Sequence, residues 1–345
     1  MKFPVIPPVN AEKRQEAEAR QNQLTKPTGS MGQLEKLSVD IAGMTGMIAP
    51  ELKKRAVFLM AADHGIAQEG VSPYPAEVTP QMVMNFLNHG AAINVLTKQM
   101  HSDVLIVDIG VNYDFPELPG LISRKVAKGT ANMLKSPAMT RSQAEKALQT
   151  GMDVFNEAAD QGLQLAATGE MGIGNTTSAA AITAVLCGKA PVEVTGRGTG
   201  LDDEGLRHKI SIIEQVLERQ KPDPNDPMDI LCKIGGLEIA GMAGVTIAAA
   251  SRGIPLVMDG LISTAAAALA DAMVPGVKNY LIAGHRSPEI GHRYLLDKLE
   301  KYPLLQLDMR VGEGTGAALA FSLIDAANNI LRDMATFESA GISNR

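Results

Sequence analysis

The sequence has no tryptophan, and aromatic residues together make up 3% of it. A surface that stacks nucleobases needs aromatic platforms, and one that tracks a phosphate backbone needs clustered lysine and arginine. Lys and Arg number 32 against 38 Asp and Glu, a formal net charge of -6, with no basic stripe. A nucleic-acid partner is not expected. Cysteine is nearly absent as well. Cys187 and Cys232 stand alone, with no C-x-x-C pair and no histidine at ligand spacing. A disulfide framework or a zinc site is therefore unsupported, and a reducing cytoplasm is the expected setting. Long uncharged apolar runs are missing too. The most apolar stretches, about 235–250 and 261–274, carry Glu238 and Asp271, fall short of a spanning length and read as core helices. The first eight residues are proline-rich and too short in apolar run for a signal peptide. No membrane association is expected. Also absent are a Walker A loop, a G-x-G-x-x-G order, a Ser-His-Asp order and a reactive-cysteine setting.

What the chain does carry is a repeated unit, an apolar run that stops at glycine with polar residues beside it. The runs are 56–62 before Asp63-His64-Gly65, 104–109 before Gly110, and 163–167 before Gly169. Three more are 254–258 before Asp259-Gly260, 280–283 before Gly284-His285-Arg286-Ser287, and 304–308 before Arg310-Val311-Gly312-Glu313-Gly314. Most are continuous rather than alternating, as in strands covered on both faces. The stretches 79–98, 142–161, 203–220 and 237–250 supply crossover helices. With 345 residues the chain can bury one large α/β core, alone or with a smaller helical unit. The expected fold is α/β, a doubly wound, mostly parallel sheet. Ligands of such sheets sit beyond the carboxyl ends of the strands. Asp63, His64, Glu170, Asp259, His285, Arg286 and Glu313 all fall at such ends.

Among them, Gly169-Glu170-Met171-Gly172-Ile173-Gly174-Asn175-Thr176-Thr177 reads as a glycine-rich turn between a strand and a helix. That layout aims free backbone N–H groups and the positive end of a helix dipole at an anion. Gly172 and Gly174 would let the backbone approach a phosphate, and Asn175 and Thr176 could cap the helix or donate to the ligand. A tight turn with glycines chosen only for positive φ is the plainer alternative. The gathering of polar residues at one sheet edge favours the phosphate site. A second glycine loop, Gly196-Arg197-Gly198-Thr199-Gly200, precedes a helix with Asp202 as its expected N-cap. Lys209 lies about two turns into that helix, where a solvated lysine is usual and a phosphate contact is the sharper reading.

Glu313 sits between two glycines, just before the apolar helix 317–331. Two roles stand level there: a charge complementing the helix end, or a general base whose pKa is raised by burial against an aromatic ligand. Glu170 is either a helix-end charge or a carboxylate that grips ribose hydroxyls or steadies a developing positive charge. Asp63, His64 and His285 lack a ligand pair at helix spacing, so hydrogen-bonded structural roles are expected and no metal site. Gln81, with Met82 and Phe86, could line a flat apolar pocket, although core packing explains the apolar pair equally well.

Taken together, the loops resemble a known family. Leu24-Thr25-Lys26-Pro27-Thr28-Gly29-Ser30, Ala62-Asp63-His64-Gly65 and the segments 169–177, 196–200, 283–287 and 312–316 closely resemble nicotinate-nucleotide–dimethylbenzimidazole phosphoribosyltransferases. The likeness runs in order over essentially the whole chain. Met31, where leucine is common, and Val311 are conservative departures. The resemblance implies transfer of phosphoribose from nicotinate mononucleotide to 5,6-dimethylbenzimidazole, giving α-ribazole 5′-phosphate and nicotinate with inversion, in assembly of the cobalamin lower nucleotide. It implies no cofactor, a homodimer, a Rossmann-like large domain over 51–321, and a small helical domain from 1–50 and about 322–345. It places Glu313 as general base and Glu170 near the ribose and phosphate. Gly172, Gly174, Asn175 and Lys209 fall at the phosphate, Gln81, Ser287 and Val311 in the pocket, and Thr176 and Gly312 join the substrate-binding set. The chemistry agrees with the bare residues. Nicotinate leaves from a cationic pyridinium nitrogen and needs no general acid, while the benzimidazole must lose one proton, so one base is required. Two rivals remain at this stage, the same donor with another aromatic acceptor, and a nucleotide-sensing module that would not need Glu313.

Overall fold

The computed structural model describes residues Met1–Ser343. Helices α1 (Ala11–Gln23) and α2 (Gln33–Thr45) open the chain. Asn10 starts α1 by accepting the Lys13 N–H at 2.9 Å. Strand β1 (Arg55–Ala62) leads to α3 (Val78–Leu87), α4 (Ala92–Gln99), β2 (Asp103–Gly110) and the short β3 (Leu121–Ser123). Helix α5 (Arg141–Asp160) returns the chain to β4 (Leu165–Met171), which is followed by α6 (Asn175–Cys187) and α7 (Pro191–Val194). Then come α8 (Asp203–Gln220), α9 (Pro227–Ile234), α10 (Leu237–Ser251), β5 (Leu256–Met258) and α11 (Leu261–Met273). The last elements are β6 (Leu281–His285), α12 (Gly291–Leu299), β7 (Pro303–Leu305) and α13 (Thr315–Asp333).

The seven strands form one parallel sheet in the order β3-β2-β1-β4-β5-β6-β7. After β1 the chain builds β2 and β3 on one side, and from β4 onward it builds on the other. The reversal between β1 and β4 opens a crevice at their carboxyl ends, where such folds take ligands. Burial of every residue of β1 follows from helices on both faces, with side chains alternating between them. Phe58 stacks on Phe155 of α5 at 5.4 Å, and Met60 touches Gly241 of α10. Val57 points the other way, to Gly314 at the start of α13. Helices α5 and α10 approach closely because a Cβ on Gly151 would lie 1.9 Å from the Gly241 carbonyl oxygen.

At the chain ends, α1 and α2 pack on α13. Leu37, Ile41 and Met44 of α2 enter the main core, while Ala17, Ala42, Ala49 and Leu331 form a small cluster beside it. Leu24 and Thr336 make an isolated antiparallel bridge. Helix α13 is continuous across position 322, where the smaller unit was expected to begin. Asn344 and Arg345, the end of that expected unit, lie outside the described residues. No helix among the described residues is long and apolar enough to cross a membrane.

Three local readings need correction. The stretch 79–98 is two helices, because the chain breaks at Asn88–Ala91, with His89 at φ +58°. Strand β4 runs on through Gly169, Glu170 and Met171, so the turn is only Gly172-Ile173-Gly174. The final strand stops at Leu305, leaving 306–308 outside it. The edge strand β3 carried no signal in the sequence, being three residues long.

Candidate active site

A cleft at the strand reversal is lined by Glu170, Gly172, Asn175, Thr176, Gly198, Asp259, Ser287, Glu289, Arg310, Val311, Gly312 and Glu313, among others. It is assembled by close backbone contact. Glycine at 169 lets the Gly312–Gly314 loop lie on β4, since a Cβ there would sit 2.3 Å from the Glu313 carbonyl oxygen. A Cβ on Gly312 would likewise meet Glu170 Oε1 at 2.2 Å. Glu170 and Glu313 are thereby brought to one cleft from different strand ends.

The loop itself is held in an unusual conformation. Gly312, Glu313 and Gly314 have φ of +81°, +62° and +88°. The left-handed region is unfavourable for glutamate and persists only where its surroundings enforce it. Asp259, from the end of β5, supplies that enforcement. Its Oδ1 accepts the N–H groups of Gly316 and Ala317 at 2.8 and 3.0 Å, and its Oδ2 accepts that of Gly314 at 3.3 Å. His285 Nε2 lies 3.4 Å from the same carboxylate. The N-terminus of α13 is thus neutralised by Asp259, and the Glu313 carboxylate turns to another helix. Its Oε2 accepts the Ile93 N–H in the first turn of α4 at 3.2 Å.

Burial dominates the electrostatics. Glu313 is held above the ordinary carboxylate range by burial and, more weakly, by the charge of Asp259, against the Ile93 hydrogen bond. Glu170 is pushed up to about 8 by burial, then by the charges of Glu238 and Asp259; its hydrogen bond from Asn175 Nδ2 opposes this. Glu238 lies behind the turn before α6, bonded to His64 Nε2 at 2.6 Å with both side chains buried. Asp63, beside His64, accepts the Asn112 N–H at 2.7 Å. Burial pushes His292 down to about 3, so its neutral Nδ1 accepts the Ser287 N–H at 3.0 Å and fixes that loop.

The turn before α6 presents Gly172, Asn175 and Thr176 to the cleft. Gly174, at φ +98°, forms the helix cap and packs on His64 and Ile66 instead. Lys209 differs from the solvated lysine that helical position suggested. It is 1% exposed, with Nζ donating to Thr176 Oγ1 at 2.8 Å, and burial lowers it to about 8. Gln81 lies exposed on α3, outside the lining of the cleft; the helix meets the site through Thr79, whose Oγ1 accepts the Ile173 N–H at 3.1 Å. Asp202 caps α8, accepting the Gly205 N–H at 2.8 Å. Sequence reading passed over Glu289 and Arg310. Arg310 stood in plain view before Val311, whereas Glu289, between Pro288 and Ile290, carried no glycine signal.

A parallel sheet wound both ways, with buried carboxylates and a helix N-terminus at its reversal, defines a doubly wound α/β protein with a ligand cleft at the switch point. A phosphoribosyltransferase family profile matches residues 6–342. The nicotinate-nucleotide–dimethylbenzimidazole phosphoribosyltransferase of Chloroflexus aggregans is 54% identical over 340 residues, covering 99% of this chain and 96% of that protein. That of Geobacter sulfurreducens is 52% identical over 338 residues, covering 98% and 96%. The crystal structure of CobT from Thermus thermophilus superposes with a TM-score of 0.93 at 47% identity, covering 97% of this chain and all of that one. The chain belongs to the nicotinate-nucleotide–dimethylbenzimidazole phosphoribosyltransferase family.

Proposed function

We propose that this protein transfers phosphoribose from nicotinate mononucleotide to 5,6-dimethylbenzimidazole, giving α-ribazole 5′-phosphate and nicotinate, in assembly of the cobalamin lower nucleotide. The observation that carries the reading is the meeting of Glu313 and Glu170 in one cleft beside the α6 N-terminus, with Glu313 relieved of capping its own helix by Asp259. The donor's phosphate lies at Gly172, Asn175, Thr176 and the Lys209 ammonium, with Gly174 shaping the turn. Holding the sugar there supplies proximity. The acceptor lies toward Ser287, Val311 and Gly312. Its nitrogen bonds to the anomeric carbon from the face opposite the departing pyridinium. The glycosidic electron pair leaves with nicotinate, whose nitrogen becomes neutral. The proton on the acceptor's other nitrogen passes to the Glu313 carboxylate, so no positive charge builds on the product. Glu170 faces the ribose and grips its hydroxyls, its carboxyl being largely protonated near neutral pH. Gln81 reaches the acceptor only through a rearrangement of α3, which makes it the weakest member of the set.

Residues 1–50 with the chain end from about 322 act as a small helical domain, and 51–321 as the large one carrying the site. The protein works as a cytoplasmic homodimer; sedimentation of the purified protein tests the dimer. The reaction is tested by chromatography of nicotinate after incubation with nicotinate mononucleotide, with and without dimethylbenzimidazole. Base-dependent release with a new nucleoside phosphate is expected. Nucleotide binding without release, with any aromatic base, would instead favour a sensing module.

A further inference from the structure

The Gly196–Gly200 loop between α7 and α8 has neither helix nor strand of its own, yet Gly198 and Thr199 form one wall of the cleft. Side chains from distant segments hold it. Glu289 Oε1 accepts the Gly198 N–H at 2.9 Å, and Arg310 Nη1 donates to the Gly198 carbonyl at 3.2 Å. Behind the loop, a Cβ on Gly198 would lie 3.4 Å from Lys209 Nζ. Gly196 makes room for the rest of Glu289, since a Cβ there would lie 2.2 Å from Oε2. That oxygen is buried and has no hydrogen-bond partner. The Glu289 N–H donates in turn to Ser287 Oγ at 3.3 Å.

Several charges on the elements around Lys209 are paired with other groups, and the rest of those on α8, Glu204, Arg207, Glu214, Glu218 and Arg219, lie along that helix. Helix α6 carries no Asp, Glu, Lys or Arg. Glu193 of α7 pairs with Lys189, and Asp229 of α9 pairs with Lys233. On α8 itself, Asp203 pairs with Arg197 and His208 bonds to the Glu69 carbonyl. Arg310 reaches over the loop to Gly198. None of these acts on Lys209 as Glu289 does, whose carboxylate holds the Gly198 N–H while Lys209 Nζ lies behind the same residue.

We propose that Glu289 is a positioning residue for the donor's phosphate, holding the Gly196–Gly200 loop over Lys209 and serving as the buried counter-charge of that ammonium. The inference rests on the proposed placing of the phosphate at Lys209. Burial alone drives Lys209 toward neutrality, and Glu289 opposes the loss of its proton. In Glu289→Gln an oxygen remains for the Gly198 N–H while the charge disappears, so Lys209 gives up its proton at lower pH.

The test is calorimetric binding of nicotinate mononucleotide without acceptor, from pH 7 to 9.5, where the donor phosphate no longer titrates. Glu170 titrates in the same range, so each variant is also measured with Glu170→Gln. Affinity falls on the alkaline side in the wild type. In Glu289→Gln the fall moves to lower pH, leaving binding about tenfold weaker at pH 8 and nearer to wild type at pH 7. Glu289→Asp, which keeps the charge, retains the wild-type profile. Glu289→Met, which removes the charge while keeping the side-chain length, shifts the profile the same way and replaces that variant should it fail to fold. A wild-type profile in Glu289→Gln or Glu289→Met, or an equal loss at every pH, would overturn the proposal. Lys209→Met separates the two levels. Wild-type donor affinity in Lys209→Met would remove the phosphate from Lys209, and the proposal with it. Weak binding there beside an unshifted Glu289→Gln profile would remove Glu289 alone.

Discussion

Two buried carboxylates meet the N-terminus of α13, one from the end of β5 and one from the loop leading into the helix. Asp259 spends its oxygens on three backbone N–H groups of that helix end, with His285 alongside. Glu313 is nearer in sequence but accepts a single N–H, and that from α4. A glutamate beside a helix start is usually read as its cap. Here the cap comes from 55 residues or more away in the chain, which leaves Glu313 with oxygen to offer a ligand. The contrast separates a carboxylate that stabilises the fold from one available for proton transfer.

Substitution of each partner sharpens the contrast. The largest effect is expected from Glu313→Gln, which should cut turnover about 10²–10⁴-fold while nicotinate mononucleotide still binds. Steady-state nicotinate release and equilibrium binding on one preparation check this; normal turnover would remove the base role. Asp259→Ala should instead destabilise the fold by about 2–4 kcal/mol, because several buried N–H groups lose their acceptor together. Urea unfolding of the two variants side by side measures it, and equal stability would show that the division between them is drawn wrongly. Gly169→Ala attacks their shared scaffold. Its Cβ would collide with the Glu313 carbonyl and shift the loop, so a loss of about 10²-fold in kcat is expected with the fold retained. Unimpaired catalysis would mean that the loop position is not critical. The smallest effect belongs to Val311→Ala. This residue is 58% exposed at the cleft edge, so its contribution to choosing among aromatic acceptors should not exceed about 1 kcal/mol. Competition between dimethylbenzimidazole and unsubstituted benzimidazole reads it, and a hundredfold swing would place Val311 deep in the pocket instead.

Much of the architecture was legible because covered parallel strands are continuously apolar and end at glycine. The helix 203–220 was readable to the residue from its Asp202 cap. The break after Leu87 was hidden because Asn88-His89-Gly90 lies between two apolar stretches of helical spacing. Glu170 and Glu313 stood out through their glycine neighbours, and those glycines turned out to permit backbone contact between the two loops. What stayed hidden depends on contacts across the sequence. Lys209 is buried because the Gly196–Gly200 loop folds over it, and nothing in the period of α8 announces that. Asp259 was legible as a polar strand end, but its claim on α13 exists only in three dimensions. Gln81 was assigned to the pocket both from its place beside Met82 and Phe86 and from the resemblance, and α3 turns it to solvent.

The most direct test of Glu313 as the base is the pH dependence of dimethylbenzimidazole-driven nicotinate release, corrected for protonation of the acceptor itself. The base must be ionised to take a proton, and burial raises its pKa. Release should therefore increase with pH through a midpoint above the ordinary carboxylate value of about 4.3. That limb should persist in Glu170→Gln and vanish from the residual rate of Glu313→Gln. An unchanged limb in Glu313→Gln would assign the proton to another group and contradict the division of labour between Glu313 and Asp259.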